Sequence, residues 1–258
     1  MHAINAGAAG DVWTALGQAL QSLSLPPKAV LIATAHWETN LPMLSGSATP
    51  EMIYDFGGFP EALYQIKYPA PGAPDVAQRG LALLKEAGIT AAIDGCRGMD
   101  HGAWVPLRKL FPDANVPVVQ LSVQPALGTR HHYELGRALR PLRDEGVLIV
   151  GSGQLTHNLR DWMSGARAAR DAGNAASATL PYALEFQAWI YEHLMAGDNA
   201  ALFDYRQQAP HAVRAHPSEE HFLPFLIALG AAGERPNVER VFAGFEGNAL
   251  AMDAYRFT

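Results

Sequence analysis

The chain has 258 residues, of which 49% are hydrophobic and 17% charged, and its formal net charge is −6. This composition excludes disordered, collagen-like and coiled-coil proteins, and the length allows one large domain or two small ones. The single cysteine, Cys96, excludes an intramolecular disulfide and a multi-cysteine metal site. There is no basic run typical of nucleic-acid binding, and no apolar stretch approaches the roughly 18 residues of a membrane span. We therefore expect a cytoplasmic protein without a nucleic-acid or membrane partner, and the sequence leaves its oligomeric state open.

Apolar, β-branched runs alternate with amphipathic stretches, a pattern typical of a mostly parallel sheet flanked by helices. In chain order it predicts a helix over 12–23, strands over 29–35 and 42–45, helices over 60–68 and 76–87, strands over 90–93 and 116–123, a helix over 133–144, a strand over 147–151, and helices over 184–196 and 219–229. The Ala-, Gly-, Ser- and Asn-rich composition of residues 164–179 predicts a loop or a weak helix. Residues 238–257 predict an antiparallel hairpin at an edge of the sheet. We expect a single α/β domain over residues 1–258.

Four of the ten histidines lie where these predicted strands end or helices begin. His36 and His157 follow strands. His101 lies in a loop that enters a short helix, and His221 lies in the first turn of the helix over 219–229. Functional groups of open α/β sheets gather at the carboxyl ends of the strands, and a divalent ion needs three or four such donors. The sequence therefore predicts that His36, His157 and His221 lie around one pocket, and His101 is a further candidate for it.

Each of these residues also has a purely structural interpretation. A single histidine after a strand is commonly a hydrogen-bonded loop residue, and Glu219 and Glu220 favour a helix N-terminus electrostatically. Asp100 either orients His101 or caps the following helix. Trp37 and Trp104 are equally well explained as core residues. Five further histidines are interpreted as solvent-facing or capping residues: His131, His132, His193, His211 and His216.

Six motifs follow one another along the chain: AHWE (35–38), YDFGGFPEALYQIKYPAPG (54–72), DHGAWVPL (100–107), VPVVQLSV (116–123), GSGQLTHNL (151–159) and HPSEEHFLPFLIALGAA (216–232). In this order they resemble the class III extradiol ring-cleavage dioxygenases, and most closely the DOPA dioxygenase type. The resemblance runs from about Gly10 to the C-terminus. It implies an α/β fold, a catecholic substrate opened with dioxygen, and a mononuclear non-haem iron(II) site that often holds zinc in purified protein.

The resemblance also implies roles for individual residues. His36, His157 and His221 match metal-ligand positions, and His157 is also described as a catalytic base. His101 matches a catalytic acid–base histidine that orients the substrate. The aromatic residues expected to pack against the substrate ring are Tyr54, Phe56 and Trp104, although each of them is equally well explained as core.

The family has a first strand that ends in a His-Gly-[Ser/Ala]-Pro motif, whose histidine is a metal ligand. This chain contains no such motif, and His2 is not aligned with the ligand position. We therefore expect the first strand and one ligand to be missing, with weak metal binding as the consequence. Two other functions stay open at this point: a zinc-dependent hydrolase, and a binding or scaffold protein that has lost the chemistry.

Overall fold

The computed structural model describes residues 7–173 and 178–258. Its helices are α1 (Gly7–Gln21), α2 (Pro74–Glu86), α3 (His101–Leu110), α4 (Gly128–Leu139), α5 (Pro141–Asp144), α6 (Leu159–Asp171), α7 (Pro181–Ala196), α8 (Asn199–Phe203), α9 (Tyr205–Gln208), α10 (Ala212–Ala215) and α11 (Leu223–Ala232). Its strands are β1 (Ala29–Glu38), β2 (Met43–Ser45), β3 (Ala92–Asp94), β4 (Val118–Val123), β5 (Val147–Ser152), β6 (Val238–Phe242), β7 (Phe245–Glu246), β8 (Leu250–Ala251) and β9 (Ala254–Phe257). Within these residues, no helix combines the length and the apolar character needed to cross a membrane.

The central sheet has five strands in the order β3-β2-β4-β1-β5. Strand β1 pairs in parallel with both β4 and β5, and β2 pairs in parallel with β3. Only the β2–β4 contact is antiparallel. Every residue of β4 is buried, as expected for a strand covered by helices on both faces. The predicted α/β domain with a mostly parallel sheet is thereby confirmed.

The two faces of β1 belong to different hydrophobic clusters, because successive side chains of a strand point to opposite sides. Val30 and Ile32 pack with Trp104 and Leu107 of α3. Leu31 lies in the other cluster, which includes residues of α4 and α11. The core therefore consists of two layers, one on each side of the sheet.

Helices α4 and α11 cross at two glycines. A Cβ atom on Gly136 would lie 2.0 Å from the carbonyl oxygen of Ile227, and one on Gly230 would lie 2.0 Å from that of Tyr133. Neither position has room for a side chain without separating the helices. This close crossing fixes α11 on its face of the sheet.

Several predicted boundaries are wrong for local reasons. Residues 60–68 form only a short 3₁₀ turn, Glu61–Leu63, and turns of this length are common as connectors between elements. The helix over 133–144 divides at Pro141, which lacks the N–H needed to continue α4. Helix α11 begins at Leu223 rather than at residue 219, so His221 lies in a turn before the helix.

Three further expectations concern the ends of elements. Strand β1 continues to Glu38, so His36 lies within the strand rather than after it. The C-terminal residues form hairpins of their own, β6 with β9 and β7 with β8, and do not form an edge of the central sheet. Residues 164–179 were expected to form a loop or a weak helix, and helix α6 occupies them as far as Asp171. Residues 174–177 lie outside the described residues. The expected absence of a first strand stays a prediction, because residues 1–6, which include His2, also lie outside the described residues.

His132 and His216, which the sequence suggests are solvent-facing or capping residues, are fully buried. The Nε2 of His132 accepts a hydrogen bond from the backbone N–H of Gln124 (2.9 Å), and its Nδ1 lies 2.7 Å from the Gly128 carbonyl. Both bonds require a neutral ring with its proton on Nδ1. Burial lowers the pKa of His132 to about 4.

This burial makes stability depend on pH. An unfolded histidine has a pKa near 6.5, so between about pH 6.5 and pH 4 the unfolded chain binds a proton that folded His132 does not. We expect the free energy of unfolding to fall as the pH is lowered through this window, by at most about 1.4 kcal/mol per pH unit for this residue. Urea unfolding at several pH values measures this loss, which is expected to be smaller in His132→Asn than in the original chain. An equal loss in both proteins would contradict the assignment of this pH dependence to His132.

Candidate metal and catalytic site

The four candidate histidines lie together beside the carboxyl end of β1. The ring centroids of His36 and His101 are 4.0 Å apart, and those of His36 and His221 are 5.1 Å apart. The rings of His157 and His221 stack at 3.4 Å. The convergence predicted from the sequence is thus confirmed, whereas the role of each ring as ligand or base stays a prediction.

Backbone contacts place the histidine-bearing segments next to one another. The loop after β5 meets the turn before α11 through a hydrogen bond from the N–H of Gln154 to the carbonyl of His221 (3.0 Å). The N–H of His157 donates to the carbonyl of Ala215 (2.8 Å). A Cβ atom on Gly153 would lie 2.1 Å from the His221 carbonyl oxygen, so this glycine permits the close approach of the two segments.

Gly102, directly after His101, likewise permits a close approach, here between the start of α3 and the His36 ring. A Cβ atom at Gly102 would lie 2.4 Å from Oγ1 of Thr34 and 2.8 Å from Cδ2 of His36. Thr34 is itself fixed, because its hydroxyl donates to Oδ1 of Asp100 (2.9 Å). The first residues of α3 therefore form the surface against which the His36 ring rests.

We expect Gly102→Ala to displace His36 and to cost about 1–3 kcal/mol of stability through overpacking. Metal bound after equilibration with a limiting metal supply should fall as well. Gly95→Ala is the matched control, because a Cβ atom there meets no atom within 4 Å. Equal metal content in the two variants would show that metal binding does not depend on the contact between Gly102 and His36.

Asp55 is a functional candidate that sequence reasoning missed. Its Oδ1 lies 2.8 Å from Nδ1 of His101 and also accepts the backbone N–H of His101 at 3.0 Å. Its Oδ2 lies 3.3 Å from Nδ1 of His36. The only indication in the sequence that Asp55 has a role is its place in the motif over 54–72, since Asp55 follows no predicted strand and begins no predicted helix.

Asp100, the carboxylate considered from the sequence, has another task. It is fully buried and caps α3 by accepting the N–H of Ala103 (3.2 Å). It also pairs with Arg97 at 2.9 Å and accepts the Thr34 hydroxyl. The capping interpretation of Asp100 therefore describes its contacts, and the carboxylate beside the His101 ring is Asp55.

The protein environment favours the neutral form of three imidazoles at this site, those of His36, His157 and His221. Burial is the main cause that lowers the pKa of His36, and the nearby His101 contributes. Burial also lowers the pKa of His157 to about 4, against an opposing effect of Glu220. The pKa of His221 is held well below its usual range by burial and by the neighbouring histidines. Neutral rings keep a lone pair available for a metal ion.

The donor set fits a divalent cation. Among residues 7–173 and 178–258, two groups of three side chains have donor atoms within 4.8 Å of one another: His36, Asp55 and His101, and His157, Glu220 and His221. The Nδ1 of His221 is buried without a hydrogen-bond partner among the described residues, and such an atom carries a free-energy cost unless a ligand satisfies it. Imidazole and carboxylate donors suit iron or zinc. Glu220, whose position in the sequence also favours a helix N-terminus, thus lies among the potential ligands.

Aromatic residues form one side of the histidine cluster. Phe56 contacts the His101 ring edge to face, with centroids 5.4 Å apart, and Tyr54 and Trp104 lie beside it at 6.2 Å each. The Tyr54 hydroxyl donates to the Ile66 carbonyl (2.6 Å). Trp104 is fully buried, and its indole N–H donates to the carbonyl of Ile53. Phe56 is therefore the aromatic residue in contact with the His101 ring, and Tyr54 and Trp104 pack against Phe56.

Comparison with known proteins agrees with this geometry. A model of the catalytic LigB subunit of aromatic ring-opening dioxygenase matches residues 2–252. The chain belongs to the LigB family. Members of this family are metal-dependent, which accords with the donor groups at the site.

Several curated relatives of this LigB chain are named 4,5-DOPA dioxygenase extradiol. One from Beta vulgaris is 42% identical over 236 residues, which cover 91% of this chain and 84% of the relative. One from Escherichia coli K12 is 36% identical over 245 residues, which cover 93% and 84%. A crystal structure of an uncharacterized protein from Escherichia coli K12 matches with a TM-score of 0.76 at 31% identity, covering 95% of this chain and 91% of that one. The predicted likeness to extradiol dioxygenases of the DOPA dioxygenase type is confirmed, and the LigB chain is an enzyme of this ring-opening class.

Proposed function

We propose that the chain, as one catalytic domain over 1–258, opens the ring of a catechol beside its two hydroxyl groups. Both atoms of dioxygen enter the product, and iron(II) is the working metal. The observation that carries the proposal is the convergence of four histidines next to an aromatic wall, with Asp55 between two of them. The names of the relatives suggest a catechol with an amino-acid side chain, and DOPA is therefore the first substrate to test.

His36, His157 and His221 are the proposed metal ligands. Three neutral donors on one side of an ion leave positions open for a bidentate catechol and for dioxygen. The bound iron(II) would supply the electron transfer that allows dioxygen to react with an aromatic ring. The protein's own contribution is to fix the substrate and to move its protons.

His101 is the proposed acid–base group. Its Nδ1 is held by Asp55, so Nε2 is the nitrogen left to accept a proton from a catechol hydroxyl as the substrate binds. The negative charge of Asp55 stabilises the resulting imidazolium. The protonated ring can then return the proton during O–O bond cleavage. His157 is the alternative base, although burial makes its protonated form less favourable.

The side chain of Phe56 is proposed to pack against the substrate ring. Its edge-to-face contact with His101 keeps these two side chains in a fixed relation. A planar catechol that stacks on Phe56 would present its hydroxyl groups to the histidines. Aromatic packing of this kind also excludes water from the reacting carbon atoms.

The test is oxygen uptake after anaerobic loading of the purified chain with iron(II). With DOPA or 4-methylcatechol we expect consumption of one O2 per ring and a new absorbance from a semialdehyde product. Resorcinol, whose hydroxyl groups are not adjacent, is the control substrate. The absence of oxygen uptake from protein with a full equivalent of bound iron(II) would refute the proposal.

The same experiment separates the competing functions. A zinc-dependent hydrolase would be activated by zinc and would consume no oxygen. A scaffold protein without chemistry would retain little metal of either kind after desalting. Equal occupancy with zinc is expected to give no ring opening, because zinc has no accessible redox change.

A further inference from the structure

A single carboxylate lies between two histidine rings of the site, and its two oxygens are used separately. Oδ1 of Asp55 contacts Nδ1 of His101 at 2.8 Å, and Oδ2 lies 3.3 Å from Nδ1 of His36. The two rings are 4.0 Å apart and tilted by 51°. Asp55 therefore contacts the same ring nitrogen, Nδ1, on both residues.

A third contact fixes the orientation of this carboxylate. Oδ1 also accepts the backbone N–H of His101, the first residue of the ten-residue helix α3. The unpaired N–H groups at a helix N-terminus favour a negative charge. The carboxylate of Asp55 is therefore held by one backbone contact and two ring-nitrogen contacts.

The choice of ring nitrogen has a chemical consequence. A neutral imidazole carries one proton, and a carboxylate beside Nδ1 places that proton on Nδ1 and the lone pair on Nε2. The Nε2 atoms lie across the rings from Asp55. In this tautomer His36 is able to donate its Nε2 lone pair to a metal ion, and His101 is able to accept a proton at Nε2.

We propose that Asp55 is the positioning residue of this site: by accepting Nδ1–H from both His36 and His101, it sets one tautomer in both rings and directs both Nε2 atoms into the pocket. This inference rests on the proposed function for its catalytic consequence, but the tautomers themselves are a property of the metal-free chain. Asp55 acts through the two histidines and need not touch the substrate.

Asp55→Asn separates the two contacts of the carboxylate. The backbone N–H of His101 is expected to hold the amide oxygen of the new residue, so His101 still donates Nδ1–H to that oxygen. The amide NH2 group then faces Nδ1 of His36 and donates to it. His36 is therefore expected to change tautomer, with its proton on Nε2, whereas His101 keeps its original tautomer.

The primary measurement is the imidazole 15N NMR spectrum of metal-free, 15N-histidine-labelled protein at neutral pH. The signals of His36 and His101 are identified by their loss in His36→Gln and His101→Gln. We expect the Nδ1–H tautomer for both rings in the original chain, and an exchange of the protonated nitrogen for His36 alone in Asp55→Asn. Unchanged His36 signals in this variant, or an Nε2–H tautomer of His36 in the original chain, would overturn the proposal.

Metal affinity provides the second measurement. Loss of an orienting partner typically weakens metal binding by about 10–100-fold, so Asp55→Asn should raise the Kd for iron(II) or zinc by this factor. Asp55→Glu retains a carboxylate and is expected to recover part of the affinity. Full loss of metal with unchanged tautomers would identify Asp55 as a direct ligand and would contradict its role as a positioning residue.

A matched control is available elsewhere in the chain. Asp198 lies 3.1 Å from Nδ1 of His193 in an exposed pair outside the site. Asp198→Asn removes the same charge from a similar pair and should leave both metal affinity and the signals of His36 and His101 unchanged. If iron-loaded protein fails to consume oxygen, the proposed function fails, whereas the tautomer result on metal-free protein is independent of that outcome.

Discussion

Replacement of His101 by phenylalanine is expected to leave the metal content near that of the original chain and to lower kcat by about 10²–10⁴-fold. This range is the usual contribution of a general acid–base group. Phenylalanine retains the flat ring that packs against Phe56, but it cannot accept a proton from the catechol. The measurements are iron content of the reconstituted protein and the rate of oxygen uptake with DOPA.

His193→Phe is the control for this experiment. His193 also pairs with an aspartate and packs against an aromatic ring, that of Trp189, but it lies outside the histidine cluster. Its replacement should change neither metal content nor kcat. Parallel loss of metal and activity in His101→Phe would instead identify His101 as a ligand.

Replacement of His221 by asparagine is expected to remove metal binding. His221 is 9% exposed, and its Nδ1 has no hydrogen-bond partner within the described part of the chain. Loss of a direct imidazole donor should exceed the effect of losing an outer partner, so we expect a rise in Kd of at least about 100-fold. Competition with a chromophoric chelator measures this constant for zinc and for iron(II).

Two comparisons keep this result interpretable. Urea unfolding of His221→Asn tests whether the buried substitution has disrupted the fold, since asparagine retains a polar group but fills less space. His211→Asn removes an exposed histidine that pairs with Glu185 and should leave metal affinity unchanged. A full equivalent of metal in folded His221→Asn would exclude His221 from the ligand set.

The sequence predicted the sheet well, because its signal is local. The runs that became β1, β4 and β5 are dense in β-branched and aliphatic residues, and strands buried on both faces require this composition. The same signal placed His36 and His157 at one end of the sheet. Their convergence with His221 then followed from the geometry of parallel strands.

The sequence did not predict the contacts that depend on irregular backbone. Asp55 lies in a segment without regular periodicity, so nothing in the local pattern indicated that it would reach both His36 and His101. Asp100 was the more obvious partner because it precedes His101, yet an aspartate at that position accepts the N–H of Ala103 as a helix cap. The carboxylate that contacts the His101 ring is therefore not the one adjacent to it in sequence, because the path of residues 54–72 in the fold brings Asp55 to that ring.

The glycine crossing of α4 and α11 has a consequence for how the enzyme tolerates mutation. The turn that carries His221 continues directly into α11, and Gly230 lies roughly 10 Å along the helix axis from the start of α11 at Leu223. A side chain at Gly230 would move the helix as a rigid body and would carry His221 with it. A mutational scan scored only by turnover would therefore place Gly136 and Gly230 among the most sensitive positions, although neither lies in the histidine cluster. Directed evolution of this enzyme towards new substrates should leave this helix pair unaltered and vary the aromatic wall instead.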